Sequence, residues 1–159
     1  MEEKTNVMRI LDKKKIPYRF YTYGTGEAMS GTEVAKELGQ DPASVFKTLV
    51  TAAKSGEHYV FMVPVAEELD LKKAAKAVGE KSIEMIKSKE LLPLTGYIHG
   101  GCSPIGMKKF FTTTIDSSVL TRDTIFFSAG KIGCQVEMRY EDLKKVIRIS
   151  EASVTADNG

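Results

Sequence analysis

The chain has 159 residues, 42% of them apolar, which fits one soluble globular domain with a real core. No apolar run nears the ~20 residues of a membrane span, and Met1 to Lys15 is charged where a secretory signal is apolar; the reading is a cytoplasmic protein with no membrane partner. A net charge of +2 disfavours wrapping a duplex but not gripping a short nucleic-acid end.

In chain order, Val7, Ile10 and Leu11 give one apolar stripe, predicting a helix from Asn6 to Lys15. Its closing lysines, Lys13 to Lys15, read as a solvated helix end or as an RNA or membrane contact. Tyr18 to Tyr23 reads as a strand. Ser30-Gly31-Thr32-Glu33 is a capping-box pattern opening a helix that closes at Gly39. Val45–Ala53 and His58–Val65 read as a hairpin. Its first strand is apolar on both faces, which predicts a central, covered strand.

Asp70 caps a helix carrying Leu71, Ala74, Ala75 and Val78, with Gly79 after it. Ile83–Ile86 reads as a short strand, and Ser88–Leu92 as one helical turn stopped by Pro93. Phe110–Ile115, Thr124–Phe127 and Cys134–Met138 predict three further strands, and Leu143, Val146 and Ile147 a last helix. Residues 151–159 show no recurring apolar position and read as a frayed tail after a domain spanning 1–150. Strands do not alternate one-for-one with helices, so the fold class is α+β.

Few residues suit chemistry. Lys47 lies in an otherwise apolar strand, where a cation is costly to bury. It reads either as an anchor for a phosphate or carbonyl oxygen or as a snorkelling lysine at a strand edge. The run Gly100-Gly101-Cys102-Ser103-Pro104-Ile105-Gly106 can offer backbone N–H groups to an oxyanion, or simply connect strands tightly. It lacks the Gly-Lys-Ser/Thr of a P-loop. Ser128 to Gly133 is a second glycine turn, equally good as a hairpin. Cys102 could be a nucleophile, although a small residue filling a tight loop fits better. His99 could line a site or bond to backbone. No carboxylate cluster suggests a metal. An enzyme built this way works by positioning and backbone hydrogen bonds, and its substrate supplies the nucleophile or base.

Phe46-Lys47-Thr48-Leu49, Leu69 to Lys76, Thr95-Gly96-Tyr97-Ile98-His99, the Gly100–Gly106 loop and Ser128-Ala129-Gly130-Lys131 follow one another in an order and spacing that resembles the YbaK/EbsC family. These are stand-alone relatives of the editing domain of bacterial prolyl-tRNA synthetases. The resemblance covers about residues 5 to 150. It implies a single α+β domain with a barrel-like, mostly antiparallel mixed sheet surrounded by helices. It also implies a deacylase, acting in trans, that removes cysteine from mischarged tRNA(Pro) and from Cys-tRNA(Cys), with no cofactor and no metal. Its partners would be the aminoacyl-tRNA 3′ end and prolyl-tRNA synthetase, in a transient ternary complex. An Ala-tRNA(Pro) deacylase of the ProX type and a non-catalytic, EbsC-like module that binds tRNA ends stay open.

By this resemblance Lys47 is the essential lysine at the phosphate or ester of the charged 3′ end. Gly100 and Gly101 offer backbone to the carbonyl oxygen. Thr48 meets the aminoacyl group or ribose, Ser103, Pro104 and Gly106 shape the loop, and Ser128 and Gly130 border the pocket. Tyr23 is placed to stack on the terminal adenine. The chain departs from the family at Ser30, where relatives often carry Phe, and at Gln135, where many carry Asp. Both positions bear on pocket shape and amino-acid specificity. The absent base then fits a substrate thiol that attacks its own ester carbonyl and leaves as a thiolactone.

Overall fold

A central hairpin organises the chain. Phe46–Ala53 (β2) pairs antiparallel with His58–Pro64 (β3), Phe46 opposite Pro64 and Ala52 opposite His58. Apolar residues on both strands explain its position. Phe46 and Val50 join different apolar clusters from Val45 and Ala53, so β2 is covered on both faces. In β3, Val60, Phe61, Met62 and Val63 are fully buried. The structure is a computed structural model and describes residues 4–24 and 29–156.

The remaining strands are Arg19–Thr22 (β1), Ile83–Met85 (β4), Thr112–Asp116 (β5), Ile125–Lys131 (β6), Cys134–Met138 (β7) and Ile149–Ala152 (β8). The helices are Asn6–Lys13 (α1), Gly31–Leu38 (α2), Leu71–Val78 (α3), Ser88–Thr95 (α4) and Tyr140–Val146 (α5). One sheet runs β4-β2-β3-β5-β8 and the other β1-β7-β6. β5 lies parallel to β3 and to β8; every other strand pair is antiparallel. A parallel bridge between Val45 and Phe126 joins the two sheets. The result is α+β, a mixed, mostly antiparallel and barrel-like arrangement that does not close. Among the described residues no helix is long and apolar enough to cross a membrane.

Local signals set the helix ends. Ser30 Oγ accepts from Glu33 N–H while the Glu33 carboxylate accepts from Ser30 N–H, the reciprocal capping box. Asp70 accepts from the N–H groups of Lys72 and Lys73. Gly39 and Gly79 close α2 and α3 in the left-handed conformation.

Two expectations fail. Pro93 does not stop α4. It forfeits one ladder bond, but Thr95 Oγ1 donates to the Leu91 carbonyl at 2.8 Å and Gly96 N–H to Leu92 at 2.8 Å, which carries the helix to Thr95. The chain also does not fray from Glu151. Glu151 and Ala152 end β8, Thr155 bridges Leu69, and Val154 is fully buried. Val154 N–H donates to Asp116 Oδ1 at 3.0 Å, and its carbonyl accepts from Asp70 N–H at 2.8 Å. Backbone pairing holds this segment with a single buried apolar side chain, too little for periodicity to reveal. Residues 157–159 of the expected tail lie outside the described residues.

Candidate active site

A cavity of about 330 Å³ lies beside the Val45–Phe126 bridge, within the size range of small-ligand sites. Val45 and the first residues of β2, Phe46 to Leu49, line it. The N-terminus of α2 supplies Met29 to Thr32, and Leu91, His99, Gly100 and Cys102 also line it. Tyr23, Ser128 and Gln135 close the end on the smaller sheet.

Lys47, Thr48, Gly100, Tyr23, Ser30, Ser128 and Gln135 therefore come together around one cavity. Lys47 is half-buried and forms no ion pair among the described residues. No described carboxylate lines the cavity, so its local charge is positive and suits an oxygen-rich or anionic ligand. Thr48 Oγ1 is buried with no hydrogen-bond partner among the described residues, a cost normally met by a ligand or water. Ser128 Oγ accepts from Gly130 N–H at 3.1 Å, which leaves its own proton to donate. Ser30 lines the cavity, but its hydroxyl already serves the α2 cap. Tyr23 is half-buried, and that burial raises its phenol above the ordinary value.

The glycine loop divides. Gly100, at φ +88°, lines the cavity, and its N–H donates to no described residue. Gly101 does not line it. Its N–H is spent on the Ile98 carbonyl at 2.9 Å, and a Cβ there would sit 3.1 Å from the Ile132 nitrogen. Cys102 lines the cavity in its place, with an N–H likewise uncommitted among the described residues. The Cys102 thiol itself is pushed up to about 12 by burial, so it stays protonated and is no nucleophile near neutral pH.

Ser103, Pro104, Gly106 and Gly130 also lie outside the cavity lining. Ser103 is fully buried and its Oγ accepts from Ile105 N–H at 3.3 Å. Gly106 and Gly130 flank the ring of Tyr97: a Cβ would meet its hydroxyl at 2.8 Å and its Cε1 at 3.0 Å, respectively. The Tyr97 hydroxyl donates to the Ile105 carbonyl and ties the loop shut. A side chain at either glycine would collide with the Tyr97 ring.

Sequence reasoning missed Gln40 entirely. It follows the cap of α2, and its amide pairs with that of buried Gln135. Nothing local marks it. His99, left open by the sequence, lines the cavity next to Gly100. Among the described residues no three His, Cys, Asp or Glu side chains gather to hold a metal ion.

Residues 25–146 match the family model of the aminoacyl-tRNA editing domain. A protein of Enterococcus faecalis, named as a candidate Cys-tRNA(Pro)/Cys-tRNA(Cys) deacylase, EbsC, is 42% identical over 155 residues, which are 97% of this chain and 94% of that protein. The crystal structure of a candidate trans-editing enzyme for prolyl-tRNA synthetase superposes with a TM-score of 0.83 at 20% identity, covering 98% of this chain and all of the other. A hypothetical protein of known structure gives 0.85 at 20% identity, covering 96% and 100%. At such identities these two structures speak for the fold.

Proposed function

As a member of the aminoacyl-tRNA editing family, the protein, we propose, is a deacylase that removes cysteine from mischarged tRNA(Pro), acting in trans through the thiol of the substrate. One observation carries this reading. The cavity holds an unpaired Lys47 and uncommitted backbone N–H groups, while its own thiol, Cys102, is held protonated. Such a site orients and stabilises, and it leaves nucleophilic attack to the substrate.

A cysteinyl ester brings its own nucleophile. Its thiol titrates near ~8.5, so a few per cent is thiolate at neutral pH. The thiolate sulfur attacks the ester carbonyl carbon, and the carbonyl oxygen becomes an oxyanion. Gly100 N–H and Cys102 N–H are the groups available to it, with Gly101 excluded by its bond to Ile98. The intermediate expels the ribose oxygen, which takes up the proton the thiol released. A cyclic thiolactone and free tRNA result. Lys47 anchors the phosphate or the ester oxygen, Thr48 Oγ1 gains the partner it lacks, and Tyr23 borders the terminal adenine. A synthetase cannot reject cysteine strongly where proline fits, which is why a second site is required. Docking beside prolyl-tRNA synthetase would supply the tRNA choice that a chain of net charge +2 does not make alone.

A deacylation time course on Cys-tRNA(Pro), Ala-tRNA(Pro) and Pro-tRNA(Pro), with Lys47→Ala in parallel, tests it. The expected result is loss of cysteine alone, abolished by the substitution. Comparable rates for alanine and cysteine would overturn thiol assistance and favour an alanine editor. Binding without turnover of any substrate would make the protein a tRNA-end-binding module.

A further inference from the structure

A second, smaller groove of about 160 Å³ lies at the end of the Gly100–Gly106 loop, lined by Pro104, Gly106, Met107, Lys109, Phe110 and Ile147 among others. The two cavities share one packed layer. Leu91 and Cys102 of the first cavity cluster with Met107 and Phe111, which line the second. Phe110 is 60% exposed, the most exposed aromatic among the exposed large apolar side chains. The Arg148 guanidinium lies over its ring at 5.7 Å. Neither Lys109 nor Arg148 forms an ion pair among the described residues, and no described carboxylate lines the groove. The pocket chemistry described above uses none of these side chains.

An exposed aromatic ring with a cation over one face and a second cation beside it, with no described acid lining the groove, is the composition of a single-stranded nucleic-acid surface. We propose that this groove holds the RNA leading to the charged 3′ nucleotide: Phe110 stacks on a base, and Lys109 and Arg148 meet the backbone phosphates. Two features favour RNA as the occupant. Phosphates complement unpaired cations, and the groove shares one apolar cluster with the cavity proposed for the aminoacyl end. A protein of net charge only +2 gains its hold on a polyanion locally, at such a patch.

The inference rests on the editing reading, and the test separates the two. An uncharged acceptor-stem minihelix ending in single-stranded CCA is titrated by fluorescence anisotropy against wild type, Phe110→Ala and the double variant Lys109→Gln/Arg148→Gln, across a salt series. These side chains are exposed or at a groove rim, and circular dichroism confirms that the variants fold. Phe110→Ala is expected to weaken binding about fivefold or more. The double variant should lower the slope of log K against log salt by about 1.4, ~0.7 for each single-strand phosphate that is no longer neutralised. In turnover, the variants should raise KM for Cys-tRNA(Pro) and leave cleavage of the cysteine ester of adenosine, too short to reach the groove, unchanged. Unchanged affinity and salt slope overturn the proposal, even if the same variants lose a protein partner instead. Patch-dependent RNA binding without any deacylation upholds this inference and sinks the editing reading; deacylation with patch-independent binding does the reverse.

Discussion

Gln40 and Gln135 exchange two amide hydrogen bonds, Gln40 Nε2 to Gln135 Oε1 at 2.7 Å and Gln135 Nε2 to Gln40 Oε1 at 3.0 Å. The pair fastens the C-terminal end of α2 to β7, while the N-terminal end of the same helix forms a wall of the cavity. Gln135 is 3% exposed, so its amide depends on this partner. Gln40→Ala should cost about 1–3 kcal/mol, the cost of a buried polar group left unpaired. Replacing both glutamines by leucine should cost less than the two single effects added together. Urea denaturation of the four proteins of the cycle checks this, and strict additivity would show that the pair is not coupled.

Cys102 lines the cavity as a neutral thiol. Cys102→Ala should therefore keep turnover of Cys-tRNA(Pro) within a small factor of wild type; a collapse to background would restore a nucleophilic role. The same burial sets a pH dependence. The folded thiol titrates at about 12 against an ordinary 9.0. Below the lower value both states hold the proton and stability is unaffected. Between the two values the unfolded chain releases it and the folded chain does not, so stability falls as pH rises, by about 1.4 kcal/mol per pH unit for one proton. Tyr97, raised by burial to about 12 from 10.0, adds to the fall further up. Urea midpoints at about pH 8 and about pH 11 should show a smaller alkaline loss in Cys102→Ala than in wild type.

The features legible in the sequence were those made by neighbours along the chain. Ser30 and Glu33 form the capping box that their spacing announces, and Asp70 and Gly79 bound α3 as their positions predict. Lys47 stood out because a cation in an apolar strand needs a reason, and it lies on the cavity wall. The glycines were legible as special, but the ring they pack against was not. Gly106 reads as shaping the loop and Gly130 as bordering the pocket; the ring a Cβ at either would meet, Tyr97, is brought there only by the fold. Gln40 and the backbone donors of the loop were hidden for the same reason: which N–H is spent and which is open depends on tertiary pairing.

Gly31 reads in the sequence only as part of a cap. A Cβ there would lie 2.3 Å from Val65 Cγ1 and 2.6 Å from Val65 Cβ. Val65 cannot yield easily, since its N–H donates to the Val45 carbonyl at 2.8 Å and it packs with Ala35 and Val45. Gly31→Ala should then push α2 off the sheet at about 1–3 kcal/mol, the usual cost of overpacking. Gly31 and Val65 both line the cavity, so KM should change along with the melting temperature. Val65→Ala added to Gly31→Ala should recover part of both. Failure of the second substitution to recover anything would place the strain elsewhere.

The C-terminal segment makes the last case. Asp116 is buried and its carboxylate accepts from two backbone groups, Ser118 N–H at 3.1 Å and Val154 N–H at 3.0 Å. Asp116 also ends β5, whose register against β8 pairs it with Ala152. A chain ending at Ser150 loses the second half of β8, exposes the cavity left by Val154, and strips one donor from a buried carboxylate. Burial of one valine and one missing buried hydrogen bond together amount to about 3 kcal/mol or more. A chain ending at Ala156 keeps every one of these interactions. Thermal melts of the two truncated proteins should differ by several degrees or more, with the shorter one lower. Equal melting temperatures would mean that the segment adds nothing to the fold, as its sequence pattern alone suggests.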